Sequence, residues 1–193
     1  MGKQEILEIL KVNKPKGEAR LPVIPEFEDI TVDLVESFHK ALLNNNASVI
    51  RANYEDSLSK IIASQYPLLT RSISTVPEFE GSVEIDLDVK PNYYDDIELV
   101  VTTGEVAVAE NGAVWVSDHL MPIRILPFIT QYLVLVVDGL HIVPKMHEAY
   151  KKIDPEKIGF GVFISGPSKT GDIEQALVIG AHGSLGLTVI IRE

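Results

Sequence analysis

The sequence predicts an α/β protein whose largely parallel sheet is sandwiched by helices and carries an inserted β-hairpin. Strand-like runs alternate with helical patterns along most of the 193 residues, and such alternation is typical of parallel sheets with helical crossovers. Residues 132–137 form an apolar run with the length of a strand that is buried on both faces. Asn111 and Gly112 lie between alternating apolar residues and predict a two-residue hairpin turn of type I′.

The N-terminal region is predicted to stand apart from the rest of the chain. Apolar residues at helical spacing predict a short amphipathic helix around residues 6–10. Residues 13–30 contain three prolines and scattered charge, which is typical of an arm laid over a surface. We therefore expect residues 1–30 to form a helix and a proline-containing arm, and residues 31–193 to form a single α/β domain.

The first half of this domain is predicted to alternate helices and strands. In chain order they are a helix from a Thr31 cap to about residue 43, a strand at 47–51, a helix at 54–65 and a strand at 67–72. Residues 83–89 then alternate apolar and acidic side chains. A period of two predicts a strand with one exposed, acidic face.

The second half begins with the hairpin and the buried strand at residues 132–137. The elements predicted after them are a helix at 144–152, a strand at 158–164, a helix at 172–181 and a last strand at 187–191. The helix at 172–181 matters most for function, because a polar turn leads directly into it.

Composition narrows the function classes. The net charge of −11 disfavours a nucleic-acid partner, since phosphate binding needs a clustered basic face. The acidic residues of 78–110 indicate a solvated face or a docking surface for a basic partner. The chain has no cysteine, which excludes disulfides and iron–sulfur ligation by this chain. No signal peptide or membrane span is predicted, and the histidines show no metal spacing, so we expect a cytoplasmic protein without metal or cofactor.

The turn at residues 165–170 carries the functional hypothesis. Glycine allows a ligand to approach the backbone, Ser168 and Thr170 offer hydroxyls, and Lys169 offers a charge. The start of the predicted helix would add free N–H groups, so the turn is predicted to bind an anion such as phosphate or carboxylate. The alternative is an ordinary helix cap, in which Glu174 reaches back as in a capping box.

Several segments together resemble the lactate-utilisation protein C family, whose members carry the LUD domain. They are SGPSKTGDIE at residues 165–174, GAHG at 180–183, TTG at 102–104 and VAENG at 108–112. The chain departs from the family at two places. Gly171 stands where the family commonly has Ala, and the run Glu110-Asn111-Gly112-Ala113 stands where the family commonly has Glu-Thr-Gly-Thr. The candidate ligand-binding residues are Ser165, Gly166, Pro167, Ser168, Lys169, Thr170, Asp172, Glu174, Thr103, Gly104, Asn111 and His182.

The resemblance implies both a fold and a role. The fold would be like that of ribose-5-phosphate isomerase, glucosamine-6-phosphate deaminase and the coenzyme A transferases. The role would be accessory, namely binding a small molecule during oxidation of L-lactate to pyruvate, alongside separate iron–sulfur subunits. The alternative is a free-standing enzyme that acts on a phosphorylated or coenzyme A-linked metabolite.

Three further groups of residues have competing interpretations. Glu110 could be a general base or nucleophile, or a carboxylate that merely flanks a turn. His182 could contact a ligand or complement the C-terminal dipole of the predicted helix, and Asp172 could cap its start. Aromatic residues near the acidic stretch predict a homodimer; they are Tyr93, Tyr94, Trp115 and Phe128.

Overall fold

The computed structural model describes residues 2–13, 33–154, 156–171 and 178–193. The chain divides into two compact units, Met1–Ile30 and Thr31–Glu193. In the first unit, helix α1 (Lys3–Asn13) confirms the predicted N-terminal helix, and its apolar side chains are exposed. Most of the predicted arm lies outside the described residues.

The second unit contains four helices and eleven strands among its described residues. In chain order they are α2 (Leu34–Asn44), β1 (Ser48–Ala52), α3 (Leu58–Gln65), β2 (Ser72–Ser74), β3 (Leu99–Gly104), β4 (Val106–Val108), β5 (Ala113–Ser117), α4 (Leu126–Ile129), β6 (Tyr132–Asp138), β7 (Ile142–Val143), α5 (Met146–Lys152), β8 (Gly161–Ile164), β9 (Lys169–Thr170), β10 (Val178–Ile179) and β11 (Gly186–Arg192).

Five of these strands form a central sheet in which every neighbouring pair is parallel. Their order is β1-β11-β6-β3-β2. The middle strand β6 confirms the prediction from its apolar run, and its residues Leu133, Val134 and Leu135 have no exposed surface. The mixed α/β architecture with a mostly parallel sheet is therefore confirmed.

The hairpin belongs to a second, four-stranded sheet with the order β7-β4-β5-β8. The largest core cluster contains Leu135 of the central sheet and Val114 of this second sheet, together with Phe38 of α2. A separate cluster joins Ile62 of α3 to Val134. Because Val134 and Leu135 point to opposite faces of β6, one face of the central sheet packs on the second sheet and the other on α3.

The hairpin turn is longer than the predicted type I′ turn. Val108 pairs with Ala113, so four residues form the loop. Gly112 has a φ of +69°, whereas Asn111 is not among the residues with positive φ. A type I′ turn needs positive φ at both central residues, so that prediction is wrong. The N–H of Gly112 instead donates to Val108 O over 2.9 Å.

Residues 83–89 do not form the predicted strand. Val83, Ile85 and Val89 do pack against the core, which explains the apolar alternation. Their backbone joins no ladder, however: Asp86 N donates to the Tyr94 hydroxyl. The alternation of apolar residues at 83–89 reflects the burial of alternate side chains, and such burial does not require pairing with a neighbouring strand.

The predicted helix at residues 172–181 is wrong where the structure describes it. Residues 172–177 lie outside the described residues, and Val178 and Ile179 form β10, which pairs antiparallel with β9. Gly180 has a φ of +81°, which an α-helix does not accommodate. The apolar residues at this position belong to a two-stranded ribbon.

Other elements exist as predicted but begin at different residues. Helix α2 has Asp33 as its N-cap, whose side chain accepts from Glu36 N, and not the predicted Thr31. Helix α3 begins after a Ser57 cap, later than predicted. Strand β2 begins at Ser72, the last residue of the predicted 67–72 run. Side-chain caps set the two helix boundaries, and apolar spacing alone does not locate them.

Candidate functional site

A pocket of about 360 Å³ lies beside the 165–170 loop. Five residues of the loop reach it, together with an apolar wall and a returning segment. The lining residues are Pro127, Phe128, Val162, Phe163, Ile164, Ser165, Gly166, Ser168, Lys169, Thr170, His182, Gly183 and Ser184. The structure thus brings His182 together with Ser168, Lys169 and Thr170, whereas Pro167 is buried behind them.

The loop does not lie where the sequence argument placed it. It follows β8, which belongs to the second sheet and not to the central parallel sheet. The expected helix N-terminus at residue 172 lies outside the described residues, and the described residues on either side of it form the β9–β10 ribbon. The polar groups that the described residues contribute to the pocket are side chains and loop backbone.

Gly166 fixes the path of the loop away from β8. Its φ of +86° falls in the left-handed region, which glycine adopts without steric cost. A Cβ at this position would also clash with the backbone oxygen of Asn45. The loop can follow this course only with glycine at residue 166.

A closed set of hydrogen bonds anchors the start of the loop. Asn45 Nδ2 donates to Ser165 Oγ over 2.7 Å and to Asn111 O over 2.8 Å. The Ser165 hydroxyl in turn donates to Asn111 O over 2.7 Å. Ser165 and Asn111, both candidate ligand contacts, hold the loop, the hairpin and the end of α2 together. Sequence reasoning missed Asn45, because an Asn run reads only as the end of a helix.

Ser168 connects the loop to the segment that carries His182. Its N–H donates to Ser184 O over 2.9 Å, and its carbonyl accepts from Gly180 N over 3.0 Å. Its hydroxyl accepts from His182 N over 3.4 Å. These bonds hold the two polar sides of the pocket against each other.

The pocket is electrostatically favourable for an anion. Lys169 is exposed and lines it, and no carboxylate is among the described lining residues. Within the described part of the chain, Lys169 forms no ion pair. In a protein of net charge −11, a pocket with a lysine, a histidine and no described acid attracts negative charge relative to the rest of the surface. Asp172 and Glu174, also predicted as ligand contacts, lie outside the described residues.

The free edge of β8 forms one side of the pocket. β8 is the outer strand of its sheet, and no strand in the described ranges pairs with its other edge. Asp118 N donates to Phe160 O, and Val116 pairs with Val162. Since antiparallel ladders alternate, the N–H and C=O of Phe163 point away from β5, toward that free edge.

The remaining predicted residues lie elsewhere. Gly104 ends β3, and a Cβ there would clash with the side chain of Val114, so its role is the close approach of the two sheets. Thr103 lies beside it in β3. Glu110 Oε1 accepts from Met146 N over 2.8 Å at the start of α5. This carboxylate therefore satisfies a backbone donor at the start of a helix.

A second polar cluster lies at the carboxyl edge of the central sheet. The Tyr54 hydroxyl donates to Asp138 Oδ1 over 2.7 Å, and Leu140 N donates to the same oxygen over 2.8 Å. Burial acts to raise the pKa of Asp138, but these two bonds and nearby His141 hold it below its ordinary value. The hydrogen bond to Asp138 raises the pKa of Tyr54. Among the described residues, no group of three acidic or histidine side chains is placed to hold a metal ion.

The sequence model of the LUD domain matches residues 89–191. The chain belongs to the LUD-domain family. This LUD-domain protein is 24% identical over 200 residues to lactate utilization protein C of Geobacillus sp. strain WCH70, across 97% of this chain and 78% of that protein. It is 32% identical over 92 residues to lactate utilization protein C of Anoxybacillus flavithermus, across 47% of this chain and 42% of that protein.

A solved structure resembles this LUD-domain protein over most of its length. The crystal structure of a DUF162-family protein from Deinococcus radiodurans matches with a TM-score of 0.66 and 17% identity, across 83% of this chain and 97% of that one. The match supports the fold. No helix in the described ranges is both long and apolar enough to cross a bilayer.

Proposed function

We propose that this protein serves lactate utilisation by binding a small anionic metabolite in the pocket beside the 165–170 loop. The observation that carries the proposal is the convergence of Lys169, Ser168, Thr170 and His182 on one pocket that no described carboxylate lines. The names of the relatives, all lactate utilization protein C, supply the metabolic context. Charged hydrogen bonds from a lysine contribute about 1.5 to 3 kcal/mol each, which suffices to select an anion.

The role we propose is accessory and cytoplasmic. No described side chain forms a nucleophile–base pair in the pocket: Ser165 is bonded within the loop anchor, and the hydroxyl of Ser168 accepts from His182 N. The carboxylate of Glu110, the other candidate, accepts a hydrogen bond from Met146 N at the start of α5. A binding protein needs only the donors, whereas oxidation of lactate needs redox groups that separate iron–sulfur subunits would supply. Co-purification with such subunits tests that association.

A homodimer is also proposed, with a smaller set of aromatic residues than the sequence suggested. Tyr94 is buried and Trp115 packs against Phe163 with ring centroids 4.8 Å apart. Tyr93 remains exposed and available to a dimer interface, whereas Phe128 lines the pocket. Light scattering at high protein concentration tests the dimer, and a monomer mass would refute it.

Calorimetric titration with L-lactate, pyruvate, inorganic phosphate and a sugar phosphate tests the binding function. At least one of these anions should bind to the wild type, and Lys169→Ala should weaken that anion about 10-fold or more, as expected for losing a charged hydrogen bond. Lys60→Ala is the matched control, since Lys60 is an exposed lysine on α3 outside the pocket. Equal affinities of wild type and Lys169→Ala would refute the site. Product formation during the titration would show an enzyme in place of an accessory protein.

A further inference from the structure

The lining of the pocket is of two chemical kinds. Ser168, Lys169, Thr170 and His182 are polar, and Pro127, Phe128 and Val162 are apolar. Phe128 belongs to the short helix α4 and is 37% exposed. An apolar group of a ligand would bind favourably against this exposed ring, because covering the ring removes apolar area from water.

The size of the pocket also exceeds what a small hydroxy acid fills. Its volume is about 360 Å³, and pockets of about 300 to 1,000 Å³ hold drug-sized ligands. Lactate or phosphate bound at Lys169 would leave the surface of Phe128 in contact with water. The outward N–H and C=O of Phe163 at the free edge of β8 add backbone polar groups to the lining.

We infer that the ligand is an amphipathic anion, in which a carboxylate or phosphate is joined to an aromatic or similarly apolar body. The anionic group binds Lys169 and the neighbouring hydroxyls, and the apolar body lies against Phe128, Pro127 and Val162. This inference rests on the proposed anion site and specifies the class of molecule that it takes.

Two matched pairs of probes test the inference by calorimetry: inorganic phosphate with phenyl phosphate, and L-lactate with L-3-phenyllactate. In each pair the anionic group is kept and only the aromatic body is added. The phenyl member should bind about 10-fold or more tightly than its partner, as expected for burying an aromatic ring. Equal affinities within both pairs, with the simple anions still bound, would overturn the inference and leave the anion site standing.

Two substitutions separate the apolar lining of the pocket from the polar lining. Phe128→Ser should abolish most of the difference within each pair of probes, whereas Lys169→Ala should weaken all probes that bind. Leu68→Ser is the control for Phe128→Ser, since Leu68 is 86% exposed and lies outside the pocket. If Phe128→Ser retains the full advantage of the phenyl probes, the apolar body does not lie against α4 and the inference is wrong. If none of the four probes binds, the inference is wrong, and the titrations with pyruvate and the sugar phosphate decide whether the anion site stands.

Discussion

Asn45 Nδ2 donates a hydrogen bond to Ser165 Oγ over 2.7 Å and thereby ties the end of α2 to the start of the candidate loop. Asn45 lies outside the residues that match the LUD domain, 89–191, whereas Ser165 lies within them. A residue that precedes the LUD-domain match therefore helps to position a pocket whose lining residues all lie within that match. Two predictions concern this connection directly.

Asn45→Ala should destabilise the fold and weaken anion binding together. The substitution removes both side-chain hydrogen bonds of Asn45 and leaves Asn111 O with fewer donors. Loss of a partner for a partly buried polar group costs about 1 to 3 kcal/mol. Urea unfolding measures the stability, and calorimetry with the probe that binds best measures the affinity. Asn44→Ala is the control, since Asn44 is exposed and should give a change within about 0.5 kcal/mol. Similar values for both variants would show that the anchor does not hold the loop.

Gly166→Ala should destabilise the protein, whereas Gly171→Ala should not. Gly166 has a φ of +86° and its added Cβ would meet Asn45 O, but nothing lies within 4 Å of a Cβ built at Gly171. Backbone strain at such a position costs about 1 to 3 kcal/mol. Thermal or urea unfolding of both variants provides the measurement. An unchanged midpoint for Gly166→Ala would contradict the loop geometry described above.

Gly112→Val should also lower stability, although the turn is not of type I′. The reason is now twofold: the φ of Gly112 is +69°, and an added Cβ would lie 3.0 Å from Leu42 N in α2. We expect a loss of at least about 1 kcal/mol in the free energy of unfolding. Gly2→Val serves as the control, since a Cβ at Gly2 meets nothing within 4 Å. An unchanged urea midpoint for Gly112→Val would show that the hairpin and α2 do not pack as closely as described.

Glu98 should make stability depend on pH on the acidic side. Backbone N–H groups of Arg71 and Thr70 donate to Glu98 Oε2 over 2.9 and 2.7 Å, and these bonds lower the pKa of Glu98. A carboxyl group with a lowered folded pKa stabilises the protein above its unfolded pKa and loses that contribution as pH falls through the folded pKa. Wild type should therefore exceed Glu98→Gln in stability at neutral pH, and the difference should shrink from about pH 5 downward.

Urea unfolding at several pH values measures this difference. The exposed Glu55 provides the comparison, since Glu55→Gln should give a difference from wild type that changes little over the same range. A gap between wild type and Glu98→Gln that grew on acidification would have the wrong sign and would refute the role of the two N–H donors.

The sequence predicted best those elements whose apolar pattern allows one interpretation. Strand β6 was recognised because both of its faces are buried, so its residues form a continuous apolar run. Patterns that record burial without pairing misled, as at Val83 and Ile85. The order of the strands and the existence of a second sheet depend on contacts between distant residues, which periodicity does not contain.

The residues of the candidate site likewise fall into those that the sequence predicted and those that only the structure shows. Ser168, Lys169, Thr170 and His182 were named from the sequence and do line one pocket. The sequence predicts Phe128 only as an aromatic residue of a dimer interface, and Asn45 only as part of an Asn run that ends a helix. Both act through spatial neighbours that are far away along the chain, so no local pattern could have singled them out.

Strand β11 lies between β1 and β6 in the central sheet, yet it is synthesised after both of them. Until residues 186–192 emerge, β1 has no neighbour to pair with, since its register is entirely with β11. Pairing of strands so distant along the chain is slow, because a long loop must close first. Between the synthesis of β6 and that of β11, the nascent chain therefore exposes an unpaired edge of β6, and we expect it to depend on chaperones during translation more than a protein whose central strands are made consecutively.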